Sequence, residues 1–189
     1  MNSISTASYT SQDQLLLHNL LEFYNNDDHL NQMLKIITGD SIISLRIVDW
    51  FSTNYAKKYF TIYEVEGHKS RFNVYIDYKL KLKAYSKKRF DPFCRWERIC
   101  IPYKNNKSIE TTIGQLNFFK WAIENKVLQF ILENHKDIEN DMNGRNSTSK
   151  RKANPSVDNQ KTRKKREELS ISAAKSIKKE DVEISITFT

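Results

Sequence analysis

Apolar and polar positions along the chain change period several times. Leu15, Leu16, Leu17, Leu20, Leu21, Phe23 and Tyr24 follow Ser11-Gln12-Asp13-Gln14, a capping-box pattern, and predict a helix ending near Tyr24. Asn25-Asn26-Asp27-Asp28 interrupts it and caps a second, shorter helix through Leu30, Met33, Leu34 and Ile37, with Gly39 as its stop. A third helix is predicted from about Ile42 to Lys57, capped by Asp40 or Ser41, with Ile43, Ile47, Trp50 and Phe51 as its stripe. From Tyr59 the period becomes two. Residues 59–65 are rich in β-branched and aromatic side chains, and 66–70 read as a loop.

Residues 72–85 carry the longest alternation. Phe72, Val74, Ile76, Tyr78, Leu80, Leu82 and Ala84 fall on even positions, while Asn73, Tyr75, Asp77, Lys79, Lys81, Lys83 and Tyr85 fall on odd ones. A strand would place the first set on an apolar face and the second on a basic, aromatic one. Residues 86–92 form a basic turn, and 94–101 read as a third strand stopped by Pro102. Residues 104–110 read as a polar loop. Thr112-Ile113-Gly114-Gln115 opens a long helix to about His135, striped by Leu116, Phe119, Ile123, Val127, Phe130 and Ile131.

The expected fold class is α+β. A small antiparallel sheet of about three strands, 59–65, 72–85 and 94–101, packs with N-terminal helices and one long central helix. Phe72, Val74, Ile76, Leu80 and Leu82 are expected to be buried with Phe119, Ile123 and Trp50. Residues 1–140 form one domain. Residues 141–162 have too little apolar surface to offset ordering and read as a disordered basic linker. Residues 163–189 carry a basic, helix-like segment and a terminal alternation, Val182 to Phe188, that adds an edge to the sheet or pairs with another chain.

Composition narrows the function. The 189 residues carry 31 Lys+Arg against 23 Asp+Glu, a net charge of +8. The excess is concentrated: residues 57–104 have a net charge of +8 and residues 145–189 of +6, while 1–56 and 105–144 are acidic. Such asymmetry points to an acidic partner. Two cysteines argue against a disulfide-stapled module, and no apolar run reaches the ~20 residues needed to cross a bilayer. No secretory leader is read at the N-terminus. Four glycines leave little for phosphate-cradling loops. These numbers argue against secreted, membrane and nucleotide-loop classes, and no membrane partner is expected.

The candidate nucleic-acid face is Tyr75, Lys79, Lys81, Lys83 and Tyr85, continued by Lys87, Lys88 and Arg89, with Arg95 and Arg98 on the next strand. Alternate strand residues stand ~6.6–6.8 Å apart, close to successive phosphates of an extended single strand. An edge strand protected by lysines is the plainer account. In the tail, Lys150, Arg151 and Lys152 precede Arg163, Lys164, Lys165 and Arg166 at bipartite nuclear-import spacing, and such runs also bind nucleic acid nonspecifically. Metal and cofactor are expected to be none: Cys94 and Cys100 are too far apart on a strand to share a metal, and His18, His29, His68 and His135 are scattered. Asp49, Asp77, Asp91 and Glu97 are the carboxylates a metal-dependent nuclease would use, but they form no paired motif, and no catalytic residue is assigned.

The blocks SLRIVDWFSTNYAKK, FNVYIDYKLKLKAYSKKRFDPFCRWERI and ETTIGQLNFFKWAIENKVLQFI, with the terminal REELSISAAKSIKKEDVEISITF, resemble a family of small proteins of nucleocytoplasmic large DNA viruses. The resemblance covers most of residues 44–138 and about the last twenty. It implies a viral protein acting in the infected cell's nucleus or cytoplasmic factory, or packaged in the particle, and it carries over no catalytic residues. The leading expectation is a noncatalytic protein that binds DNA or RNA backbone through the basic strand face and the cationic tail. The alternative is a virion structural or assembly protein that contacts viral structural proteins and directs its basic tail to the genome. A metal-dependent nuclease ranks below both.

Overall fold

The computed structural model describes residues 11–66, 71–103 and 107–151. It is α+β, with helices predominating and two antiparallel two-stranded ribbons. Helix α1 spans Ser11–Tyr24 and α2 Asp27–Thr38. The Asn26 side chain accepts from the Asp28 amide, and Gly39 ends α2 at φ 83°, the left-handed conformation that favours glycine. Helix α3, Leu45–Trp50, is capped by Ser44, three residues later than the sequence predicts. It continues through a π-helical turn, Phe51–Tyr55, into α4, Ala56–Lys58.

The central expectation of a strand over 72–85 is wrong. Strand β2 is only Phe72–Asn73, paired with β1, Ile62–Tyr63, and the chain then enters α5, Val74–Arg89. The Asn73 side chain accepts from the Ile76 amide and starts the helix. From Tyr78 to Lys88 no residue is β-branched, and Leu, Lys and Ala are good helix formers. A helical stripe also runs through the same residues: Val74 and Tyr78 are buried, and Leu82 and Tyr85 pack partly against the core. Ile76 and Leu80, expected inside, are 56% and 59% exposed. Ser86, at φ 60°, breaks the helix before its last basic turn.

The expected three-stranded sheet is therefore replaced by two separate ribbons. Strand β3, Arg98–Tyr103, runs through Pro102 rather than stopping there, and pairs with β4, Lys107–Thr112, which had read as loop. Ile101 opposes Ile109 and Ile99 opposes Thr111, so the buried side chains of both strands share one face.

The long central helix is two. Helix α6, Ile113–Glu124, is capped by the Thr112 side chain, which accepts from the Gln115 amide. Helix α7, Val127–Glu133, begins after Lys126 at φ 54°. The break is held by Tyr63, whose hydroxyl donates to the Asn125 carbonyl at 2.9 Å, and by the Asn125 side chain, which donates to the Trp121 carbonyl. Helix α8, His135–Arg151, carries the chain past the expected domain end at 140. Ile138 and Met142 are buried, and Asp141 accepts from Trp50 Nε1 and pairs with Lys58. The rest of the expected linker, 152–162, and the whole of 163–189 lie outside the described residues.

Helix α6 is the hub of the core. Leu116, Phe118, Phe119, Trp121 and Ala122 are all buried, and Tyr78, Phe90, Phe118 and Trp121 form one aromatic cluster with ring centroids 5.2–6.5 Å apart. Polar groups on α6 hold the chain that follows α5: Asn117 donates to the Arg89 carbonyl and Gln115 to the Pro92 carbonyl. The Gly114 carbonyl accepts from the Asp91 amide. A Cβ at Gly114 would stand 2.8 Å from the Lys88 carbonyl oxygen, a backbone atom that the bonds just listed fix in place.

Gly114→Ala should therefore lower stability by about 1–3 kcal/mol in urea unfolding, as overpacking does. Gly144→Ala, at an open position in α8 with nothing within 4 Å of the added Cβ, should instead raise it by about 0.5–1 kcal/mol. Equal effects of the two substitutions would contradict the close approach of the α5 end to α6.

Candidate nucleic-acid interface

Helix α5 carries six cations, Lys79, Lys81, Lys83, Lys87, Lys88 and Arg89, against the single carboxylate of Asp77. That carboxylate is turned to the core, where Trp121 Nε1 donates to Asp77 Oδ1 at 2.6 Å. Each residue of a helix turns ~100°, so the odd positions no longer share a face. Lys79 and Lys83 lie one turn apart on the exposed side, together with Ile76 and Leu80, and Tyr75 completes a shallow open depression with these four. Lys81 is rotated ~200° from Lys79 and is half-buried on the flank of the helix.

Ion pairing separates the ten candidate residues of the domain. Arg89 pairs with the buried Asp13, Arg95 is bidentate to the buried Asp91 at 2.9 and 3.1 Å, and Arg98 meets Glu110 across the second ribbon. Lys88 lies 3.7 Å from Glu97. These four hold elements of the fold together. Tyr85 packs against Phe90. Lys79, Lys81 and Lys83 form no ion pair among the described residues. Lys87 is exposed beside Asp49. In the tail, Lys150 and Arg151 end α8, while Lys152, Arg163, Lys164, Lys165 and Arg166 lie outside the described residues.

Sequence reasoning missed a neighbouring group. Lys57 Nζ sits 5.7 Å from the centroid of the Tyr75 ring, and Lys58 Nζ sits 4.6 Å from that of Tyr59. Phe60 follows at φ 49° and is 78% exposed, with Tyr59 and Ile62 also exposed. The Thr61 amide donates to the Ala56 carbonyl, and the Val74 amide donates to the Thr61 carbonyl, so this aromatic tip lies beside the start of α5. The signal was present in Tyr59-Phe60 directly after Lys57-Lys58, but a strand assignment over 59–65 absorbed it.

The carboxylates considered for metal chemistry have other partners. Asp77 holds Trp121, Asp91 holds Arg95 and the Phe93 amide, and Glu97 lies near Lys88. No group of three His, Cys, Asp or Glu residues with metal-binding geometry occurs among the described residues. Cys94 and Cys100 are both free thiols, and burial pushes the Cys94 thiol up. Asp49 differs from the other carboxylates. Burial, and then the nearby Asp91, push its carboxyl above the ordinary range, against the smaller opposing pull of Arg95 and Lys87. The same two carboxylates add to burial in pushing the Tyr78 hydroxyl up to about 12.

A match to a family of unknown function, DUF7197, extends over residues 1–189, and the chain belongs to that family. It is 39% identical over 160 residues to "Uncharacterized protein L507" of Acanthamoeba polyphaga mimivirus. That alignment covers 80% of this chain and 62% of the relative's length. The resemblance to a family of large DNA viruses, read from the central blocks, is therefore confirmed. No solved structure matches the chain.

Because the folded state disfavours the Asp49 carboxylate, its folded pKa lies above its unfolded value of ~3.9. Ionisation then works against folding above that range, and the penalty fades as pH falls into it. Asp49→Asn should be more stable than the parent at pH 7 in denaturant melts, with the difference shrinking toward pH 4. A loss of stability at pH 7 would mean that the carboxylate has an ionic role in the fold.

Proposed function

We propose that this viral protein is a noncatalytic nucleic-acid-associated protein whose exposed face of α5 contacts phosphate backbone, with the basic tail as a second attachment. The observation that carries this reading is the sorting of charge. The cations that stabilise the fold have carboxylates, whereas Lys79 and Lys83 stand one turn apart, exposed and without one among the described residues. A ~6 Å rise per four residues keeps these lysines within the reach needed to follow one strand of phosphates. Phosphate contacts of this kind give affinity without direct sequence readout. Tyr59 and Phe60, rather than Tyr85, are the rings available for stacking on unpaired bases. The tail, at net +6 over residues 145–189, adds affinity through effective concentration rather than through geometry. Action in the nucleus or in a cytoplasmic factory follows from this reading and belongs to the proposal.

The test is a salt series on the full-length chain with single-stranded and duplex DNA and RNA. Lys79→Gln with Lys83→Gln should reduce the slope of log affinity against log salt by about 1.4–1.8, since each lost phosphate contact removes about 0.7–0.9. The basic residues of the tail are the same in parent and variant, so their own phosphate contacts cancel in this difference. Lys81→Gln alone should change the slope by less than one such step, because the helix turns it away from Lys79. Phe60→Ala should weaken single-strand binding more than duplex binding, by about 1–3 kcal/mol if the ring stacks on a base. An unchanged slope in the double variant would refute phosphate contact by α5.

A further inference from the structure

The exposed face of α5 is not a plain cationic surface. Ile76 and Leu80, one turn apart, are more than half exposed between Lys79 and Lys83, and the four line one depression with Tyr75. These two aliphatic side chains leave apolar area at its centre that a phosphate contact alone would not bury. Burying the part of each that is still exposed would be worth ~1–2 kcal/mol. An occupant that also covers this apolar area would offer apolar side chains at a spacing near one helical turn and carry negative charge beside them.

The chain itself contains such a segment. Glu180, Asp181 and Glu183 are the last three acidic residues, and Val182, Ile184, Ile186 and Phe188 alternate through and beyond them. We propose that the segment Glu180–Phe188 docks in extended form along the exposed face of α5 of its own chain. In an extended segment, alternate side chains on one side stand ~6.6–6.8 Å apart, close to the ~6 Å between residues four apart on a helix. Ile186 over Ile76 and Ile184 over Leu80 set an antiparallel direction. That direction brings Asp181 and Glu180 toward Lys83 and Lys87, which neutralises cations that otherwise lack carboxylates among the described residues or, for Lys87, have only the flanking Asp49.

Chain length permits it. Twenty-eight residues, 152–179, separate the end of α8 from Glu180, and at up to ~3.3–3.6 Å per residue that length can reach on the order of 90–100 Å, several times the length of α5. An intramolecular tether of this length holds the segment at an effective concentration of the order of millimolar, enough for a modest contact to be populated. The basic stretch Arg163–Arg166 lies between the two in sequence and is the alternative partner for the same acidic residues. It lacks the apolar partners that Ile184 and Ile186 find on α5.

The proposal goes beyond the phosphate reading and stands without it, because its test contains no polynucleotide. An equal mixture of unlabelled and nitrogen-15 full-length protein is treated with a carbodiimide, which joins a carboxylate to a lysine amine as an amide wherever the two touch. The expected products link Glu180, Asp181 or Glu183 to Lys79, Lys83 or Lys87, within chains of one isotope. Ile76→Asp with Leu80→Asp, both at exposed positions, should lower their yield about tenfold, the effect of losing ~1.4 kcal/mol of contact, with the circular dichroism unchanged. Ile184→Asp with Ile186→Asp, outside the described fold, should do the same from the other side. Links mainly to Lys161, Lys164 or Lys165, links of mixed isotope, or a yield indifferent to both pairs of substitutions would each overturn the proposal.

Discussion

The approach of the α5 end to the start of α6 is the constraint on which the rest of the domain depends. At Gly114 the two backbones come closer than any side chain permits, and the turn that follows α5 is then tied to α6 by hydrogen bonds from Asn117 and Gln115 and by the Asp91 amide. These are buried polar groups in an otherwise aromatic region, and leaving any of them unpaired costs ~1–3 kcal/mol. Gln115 also accepts from the Thr111 hydroxyl, so the second ribbon is fixed to the same few residues. With both ends of α5 held, by the Asn73 cap and by this seam, the rotation of the helix about its axis is set. That rotation decides that Val74 and Tyr78 are buried, with Tyr78 against Trp121, while Lys79 and Lys83 face out.

The distribution of carboxylates follows from the same seam. Asp13 on α1 and Asp91 after α5 are buried and would be costly alone, so Arg89 and Arg95 are committed to them. Asp141 on α8 does the same work at the opposite end. Burial of its side chain raises the cost of ionisation, yet hydrogen bonds from Lys58 and Trp50 outweigh it and hold the carboxyl below its ordinary range. The arginines near the core are thus structural, and planar bidentate pairing is what they do best. Lys79, Lys81 and Lys83 of α5 are left with no such task.

Much of the helical framework was legible because it rests on local signals. Asn26 as a cap, Gly39 as a stop and Thr112 before Gln115 each satisfy free helix amides or carbonyls whatever the tertiary context. The family, too, was legible from the central blocks. The major failure, residues 72–85, arose because period two and period 3.6 coincide there: Val74, Tyr78 and Leu82 are even positions and also successive turns of a helix. Propensity distinguished the two, since Lys, Leu and Ala replace β-branched residues after Ile76, and alternation was given more weight than it could bear. The strand β4 was missed for the opposite reason. Its apolar content is the single Ile109, and its buried threonines, Thr111 and Thr112, are placed by pairing with β3 and by their bonds to Gln115. The break at Lys126 has only Asn125 as a local signal, and it depends as well on Tyr63, some sixty residues earlier.

The helical state changes what the basic run means, not only where it points. On a strand, Lys79, Lys81 and Lys83 would share one edge, and aggregation defence alone would account for them. On a helix that reason disappears. Lys79 and Lys83 are four apart in the regular part of the helix, and such a like-charge pair costs ~0.2–0.5 kcal/mol. The basic last turn gains something from the helix dipole, yet Ser86 interrupts the helix just before it and limits that gain. The Asp77 carboxylate, the one charge on the helix able to relieve the repulsion, is drawn inward by Trp121 instead. Helix α5 therefore carries an electrostatic penalty that its own residues leave standing, and an anionic partner, whether phosphate or carboxylate, gains affinity by removing it.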